Sequence, residues 1–132
     1  MISPTWDTLR LFLHVLAATV WVGGQLTLVA LLPLLRRHGD DLPRQAARVY
    51  NRVAWPAFGL LVVTGAWNVA VEPGDADGYD ATLVLKLVLV AGAGLAAYAH
   101  IVVRSRAAKG WLGGVTALCS VGALLLGVLL AG

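Results

Sequence analysis

An imidazole and an ammonium group lie inside apolar runs long enough to cross a membrane. His14 stands in L-F-L-H-V-L-A-A-T-V-W-V-G-G-Q, residues 11–25, and Lys86 stands in L-V-L-K-L-V-L-V, residues 83–90. A polar or ionisable group in hydrocarbon is costly and needs a partner, which makes each a candidate functional residue. Neutral imidazole ligates haem iron or copper and relays protons. A desolvated lysine pairs with a carboxylate, donates a proton or, uncommonly, ligates iron. His14 is therefore the candidate metal ligand and Lys86 the candidate catalytic residue. Ala18, Trp21, Gln25 and Leu28 follow His14 at helical spacing and extend a partly polar stripe along one face. Thr64 and Asn68 share a face of a later run, and His100 shares a face with Lys86 across Val90, Ala93 and Ala97. His14, Lys86, His100, Trp21 and Asn68 together form the candidate cofactor-binding set.

Helical rise converts position into depth. At about 1.5 Å per residue, His14 falls roughly 12 Å and Lys86 roughly 10 Å to the outer side of the bilayer midplane, so the two are expected nearly level. His100 falls on the other side, roughly 20 Å from His14 along the normal, too far for both histidines to clamp one iron on straight helices. Structural roles compete with each assignment. His14 would serve as a buried imidazole bonded to a neighbouring carbonyl, Lys86 would snorkel to the outer interface, and His100 would be structural or face lipid. His38 is expected to be solvated. Thr116, Cys119 and Ser120 are weaker candidates, because hydroxyls in membrane helices commonly bond back to the preceding turn.

The elements that position these residues follow from composition. The chain has 132 residues, of which 59% are hydrophobic and 13% charged, with a mean hydropathy of +0.80. A soluble domain carries roughly a quarter charged residues, so the expected class is an all-α integral membrane protein. One cysteine, Cys119, excludes a disulfide framework and any multi-cysteine metal site. No cleavable signal is expected in Met1 to Arg10, and nucleic-acid binding is not expected.

Four runs of sufficient length, about 9–35, 53–71, 81–103 and 111–131, predict a single domain of four transmembrane helices packed as an antiparallel bundle. The second helix is expected to begin earlier, capped by Asp40 or Asp41 with Pro43 in its first turn, and to kink at Pro56. Arg36, Arg37, Arg44, Arg48 and Arg52 lie between runs one and two, and Arg104, Arg106 and Lys109 between runs three and four. The middle connection holds Glu72, Asp75, Asp77 and Asp80 without a base. The positive-inside rule then puts both termini outside, in a cytoplasmic (inner) membrane.

Trp6, Tyr50, Trp55, Trp67, Tyr79 and Trp111 fall near run ends and read as an interfacial belt, with Trp21 the mid-span exception. The glycine pairs 23/24, 59/65, 92/94, 113/114 and 122/127 are expected to line helix seams. Arg44, Arg48 and Arg52 share a helix face suited to lipid phosphates or, less readily, porphyrin carboxylates. Membrane lipids, a homo-oligomer and a membrane redox partner are the expected partners.

No Ser–His–Asp set, phosphate loop or intramembrane carboxylate pair is present. Copper paths favour several soft ligands, and here Met1 and Cys119 are the only sulfur residues. A b-type haem asks for one or two axial ligands, a slot lined by small residues and cations for its propionates. Haem b is the favoured cofactor, with copper the alternative.

The run H-V-L-A-A-T-V-W-V-G-G, with tryptophan seven residues after histidine, resembles the first helix of the CopD copper-resistance family. K-L-V-L-V-A-G-A-G-L-A-A-Y-A-H is similar to that family's lysine-bearing helix. The outline also resembles HemJ, the small membrane protoporphyrinogen oxidase. That resemblance implies functional roles for His14 and Lys86, a looser match at His100, and bound b-type haem serving electron transfer or oxidoreduction. The CopD resemblance implies copper handling, and a non-enzymatic subunit or assembly factor is a further alternative. In place of the aromatic-rich stretch that follows the first HemJ helix, this chain has L-L-P-L-L-R-R-H, residues 31–38.

Overall fold

Two threonines start the first helix by capping one another. Thr5 Oγ1 accepts from the Thr8 backbone N–H at 3.2 Å, and Thr8 Oγ1 accepts from the Thr5 N–H at 3.3 Å, which satisfies two of the otherwise unpaired donors of a helix start. The computed structural model describes residues 3–132; Met1, the sole methionine, and the first residues of the expected leaderless start lie outside them. From this cap α1 runs over Trp6–His38, followed by α2 over Leu42–Val71, α3 over Tyr79–Val102 and α4 over Arg106–Ala131. The protein is all-α, and each of these helices is long and apolar enough to cross a membrane. It has the make-up of a multi-pass membrane protein.

Observed boundaries extend the expected ones. Asp41 occupies the N-cap position of α2 without a side-chain hydrogen bond, Pro43 sits in the first turn, and the helix continues through Pro56. The α4 helix begins at Arg106 rather than near Trp111, because Ser105 Oγ accepts from the Ala108 N–H at 3.4 Å and caps it.

The chain divides after Pro73 into two compact units. In the first, α1 and α2 run antiparallel: Arg10 meets Glu72, His14 meets Thr64 and Trp21 meets Tyr50, so partner numbers fall as α1 advances. In the second, α3 and α4 form an antiparallel hairpin, with Lys86 beside Gly127, Leu89 beside Gly122 and His100 beside Gly113. Apart from Trp21 and Val22 at the π turn, the buried positions are small or polar (Ala17, Ala54, Ala57, Ala93, Ala96, Ala123, Arg10, Thr64, Thr116, Ser120), whereas Leu95 is 71% and Leu118 76% exposed. Large side chains outward and small ones inward is the arrangement that suits a lipid solvent, where close backbone approach replaces hydrophobic collapse.

A π turn over Thr19–Gly23 interrupts α1 and accounts for the Trp21–Gly23–Gly24 signature. Such a turn loosens the helical hydrogen-bond ladder. The Tyr50 hydroxyl reaches in from α2 and donates to the Trp21 carbonyl at 2.7 Å. A Cβ at Gly24 would run into the Tyr50 ring, so glycine is required there by the tyrosine. The Trp21 ring is buried against Trp55 and Phe58, with ring centroids 5.7 and 4.6 Å away. Tyr50 and Trp55 are thus half-buried on the α1–α2 seam, whereas Trp6 and Trp111 stay 76% and 77% exposed. The seam expectation for glycines holds at Gly24, Gly65, Gly92, Gly113, Gly122 and Gly127. It fails at Gly23, Gly59 and Gly114, where an added Cβ would meet nothing within 4 Å.

Tyr50→Phe removes the only hydrogen of the latch and is expected to lower stability by about 0.5–2 kcal/mol. Gly24→Leu, which must displace the ring, should cost more. Unfolding in detergent micelles, followed by tryptophan fluorescence, measures both.

Candidate functional site

His14 projects from the middle of the first α1 segment onto α2. Its Nδ1 lies 2.8 Å from Thr64 Oγ1, and Thr64 is only 1% exposed. The hydroxyl also lies 2.6 Å from the Leu60 carbonyl oxygen, one turn back on α2. A hydroxyl has a single hydrogen, and a carbonyl oxygen can only accept. At 2.6 Å two oxygens without a hydrogen between them repel, so Thr64 donates to Leu60 and accepts from His14. Nδ1 therefore carries a proton, and in the neutral ring Nε2 then carries the lone pair. A Cβ at Gly65 would sit 3.5 Å from His14 Cε1, an ordinary van der Waals contact, so the ring edge packs directly against this position of α2.

One turn before His14, Arg10 is fully buried, which no reading of the apolar runs anticipated. Its guanidinium lies 3.4 Å from Asp7 Oδ1 and 3.1 Å from Glu72 Oε1, the latter at the C-cap of α2. Neither contact has hydrogen-bond geometry: Nε, Nη1 and Nη2 of Arg10 are all without a hydrogen-bond partner among the described residues, as is the buried Oδ1 of Asn68. The pairings His14–Thr64 and Arg10–Glu72 fix the register of the two helices and put Asn68, one turn from each of its α2 neighbours, between the levels of His14 and Arg10. The sequence carried this signal as spacing: Arg10/His14 at i, i+4 on one helix against Thr64/Asn68/Glu72 at i, i+4, i+8 on the other.

The remaining candidates fall elsewhere. Trp21 belongs to the aromatic cluster with Trp55 and Phe58, further along the α1–α2 seam. Lys86 and His100 lie in the second unit, towards opposite ends of α3. Lys86 Nζ would be 3.2 Å from a Cβ at Gly127, so that glycine leaves the space the ammonium occupies. The Nδ1–H of His100 donates to the Lys109 carbonyl at 2.8 Å, tying the end of α3 to the first turn of α4. The Thr116 hydroxyl bonds back to Leu112 at 2.8 Å as expected of a membrane helix. His38 is exposed and has Nδ1 3.0 Å from the Leu34 carbonyl of its own helix. Among the described residues no group of three or more His, Cys, Asp and Glu side chains is gathered to hold a metal ion.

No protein-family model, curated protein or solved structure matches this chain.

Arg10 is buried while its acidic partners are largely in solvent, with side-chain exposures of 59% for Asp7 and 63% for Glu72. Loss of the two members should therefore be unequal. Glu72→Gln strips a counter-ion from a buried cation, whereas Arg10→Met leaves two carboxylates that water can solvate. Glu72→Gln is expected to destabilise by about 1 kcal/mol more than Arg10→Met, with the double variant recovering part of that loss. Denaturant unfolding of the three variants in one detergent tests the order.

Proposed function

We propose that this chain is a haem-binding protein of the cytoplasmic membrane, in which His14 ligates the iron of a b-type haem near the outer face for electron transfer or oxidoreduction. The observation that carries the proposal is the hydrogen-bond relay from His14 Nδ1 through Thr64 to the Leu60 carbonyl. Metal-ligating histidines typically donate their second ring nitrogen to a fixed acceptor, which sets the tautomer, holds the ring plane and raises the basicity of the ligating nitrogen. Thr64 does all three here: its own hydrogen is committed to the backbone, so it can only accept from the imidazole.

The residues present fit a haem in donor chemistry. A porphyrin already supplies four iron ligands, so one well-oriented imidazole suffices where a bare copper ion would call for several. Bound haem supplies one-electron chemistry. His14 would hold the cofactor, and Thr64 would fix the imidazole tautomer. The charge asymmetry of the connections supports placing His14 towards the outer face, because eight bases lie in the first and third connections and the acidic connection has none. The likeness of H-V-L-A-A-T-V-W-V-G-G to the CopD and HemJ first helices supports the same reading.

Protein purified in mild detergent and supplied with haemin should develop a Soret band that His14→Ala abolishes. Thr64→Val keeps the shape of the side chain but removes the acceptor, and should weaken haem affinity by about 10- to 100-fold. No Soret band in the wild-type protein overturns the haem reading; a wild-type spectrum retained in His14→Ala overturns the ligand assignment alone.

A further inference from the structure

Arg44, Arg48 and Arg52 stand at i, i+4 and i+8 on the first three turns of α2, and all three are exposed. They continue without a break into the apolar part of the same 30-residue helix. Arg36 and Arg37, in the last turn of α1, are exposed at the same end of the first unit. The acids nearby are Asp40 and Asp41, and the one ion pair in this stretch is Arg44 with Asp41 at 3.5 Å, between side chains 73% and 69% exposed. Such a pair is weak and readily exchanged in water. Val49 and Val53, interleaved with the arginines, are 61% and 56% exposed. An exposed valine stripe thus flanks the stripe of forked cations at the mouth of a membrane span. That pattern matches a phospholipid, with phosphate beside the guanidinium groups and acyl chain beside the valines.

Spacing narrows the occupant. Consecutive arginines rise about 6 Å along the axis, so the Arg44/Arg48 and Arg48/Arg52 clefts lie about 6 Å apart. Each cleft places one phosphate between two guanidinium groups, with the five-donor fork of Arg48 shared by both clefts. Two such clefts in line suit one lipid with two phosphates joined by a short linker. We infer that this face of α2 binds a two-phosphate phospholipid of the cardiolipin type, each phosphate seated between a pair of successive arginines. This inference stands independently of the haem reading.

Native mass spectrometry of the full chain from detergent micelles, titrated with cardiolipin, phosphatidylglycerol or phosphatidylcholine, tests it. Cardiolipin adducts should form at concentrations on the order of tenfold lower than phosphatidylglycerol adducts, because the second phosphate binds intramolecularly. Each Arg→Gln change should weaken cardiolipin binding about fivefold, and R44Q/R48Q/R52Q about a hundredfold. R104Q/R106Q/K109Q should leave it unchanged. R44K/R48K/R52K, which keeps charge without the fork, should retain part of the binding, and unchanged circular dichroism of the glutamine variant shows that its loss is not unfolding. Equal adducts in wild type and R44Q/R48Q/R52Q, or equal binding of phosphatidylcholine, overturn the proposal. Full displacement of cardiolipin by equimolar inorganic pyrophosphate also overturns it, by showing a site for free anions instead of lipid.

Discussion

In hydrocarbon a polar group that lacks a protein partner has no water to turn to and costs several kcal/mol. Several contacts of the first unit follow from that constraint, with the Arg10 nitrogens and Asn68 Oδ1 as exceptions. His14 is tolerated inside an apolar run because Thr64 accepts its proton at 2.8 Å, and Thr64 is tolerated because Leu60 accepts its own at 2.6 Å. The Trp21 carbonyl, in the loosened π turn, is taken by the Tyr50 hydroxyl. The second unit obeys the same rule, with His100 on the Lys109 carbonyl and Thr116 on Leu112. Each partner also fixes a rotamer or a helix register, so satisfying the polar groups and orienting the candidate ligand are one process.

Glycine makes one of these meetings possible outright: Gly24 admits the Tyr50 ring, while Gly65, Gly113 and Gly127 lie against His14, His100 and Lys86. Small residues in membrane helices are usually read as points of helix contact. Here several of them instead lie against a specific polar or aromatic side chain on the neighbouring helix. That distinction has consequences for substitution: alanine at a plain seam shifts a backbone, whereas a side chain at Gly24 collides with the Tyr50 ring that holds a carbonyl.

The features legible in the sequence were those governed by averages over a long window. Four spans, their approximate limits and the asymmetry of charge between connections follow from hydropathy and counting, and His14 stands out because one imidazole in an uncharged stretch is conspicuous. Thr64 was visible as a hydroxyl on the right face. Arg10 was not, because it precedes the uncharged run and reads as a flanking charge; its burial arises only when α2 delivers Glu72 to the same level. Tyr50 and Trp55 read as interfacial anchors, as aromatic residues near span ends do. Their contacts with Trp21 at the π turn have no compositional mark. The start of α4 was misplaced for a related reason: Ser105 caps a turn that is too polar to register as part of a span.

The account rests on which nitrogen of His14 carries the proton. Nitrogen-15 magnetic resonance of histidine-labelled protein in lipid, assigned by comparison with His14→Ala, reads this directly at neutral pH without added haem. The relay through Thr64 predicts a neutral His14 ring protonated at Nδ1 with a bare Nε2. A ring protonated at Nε2, or at both nitrogens, would contradict it.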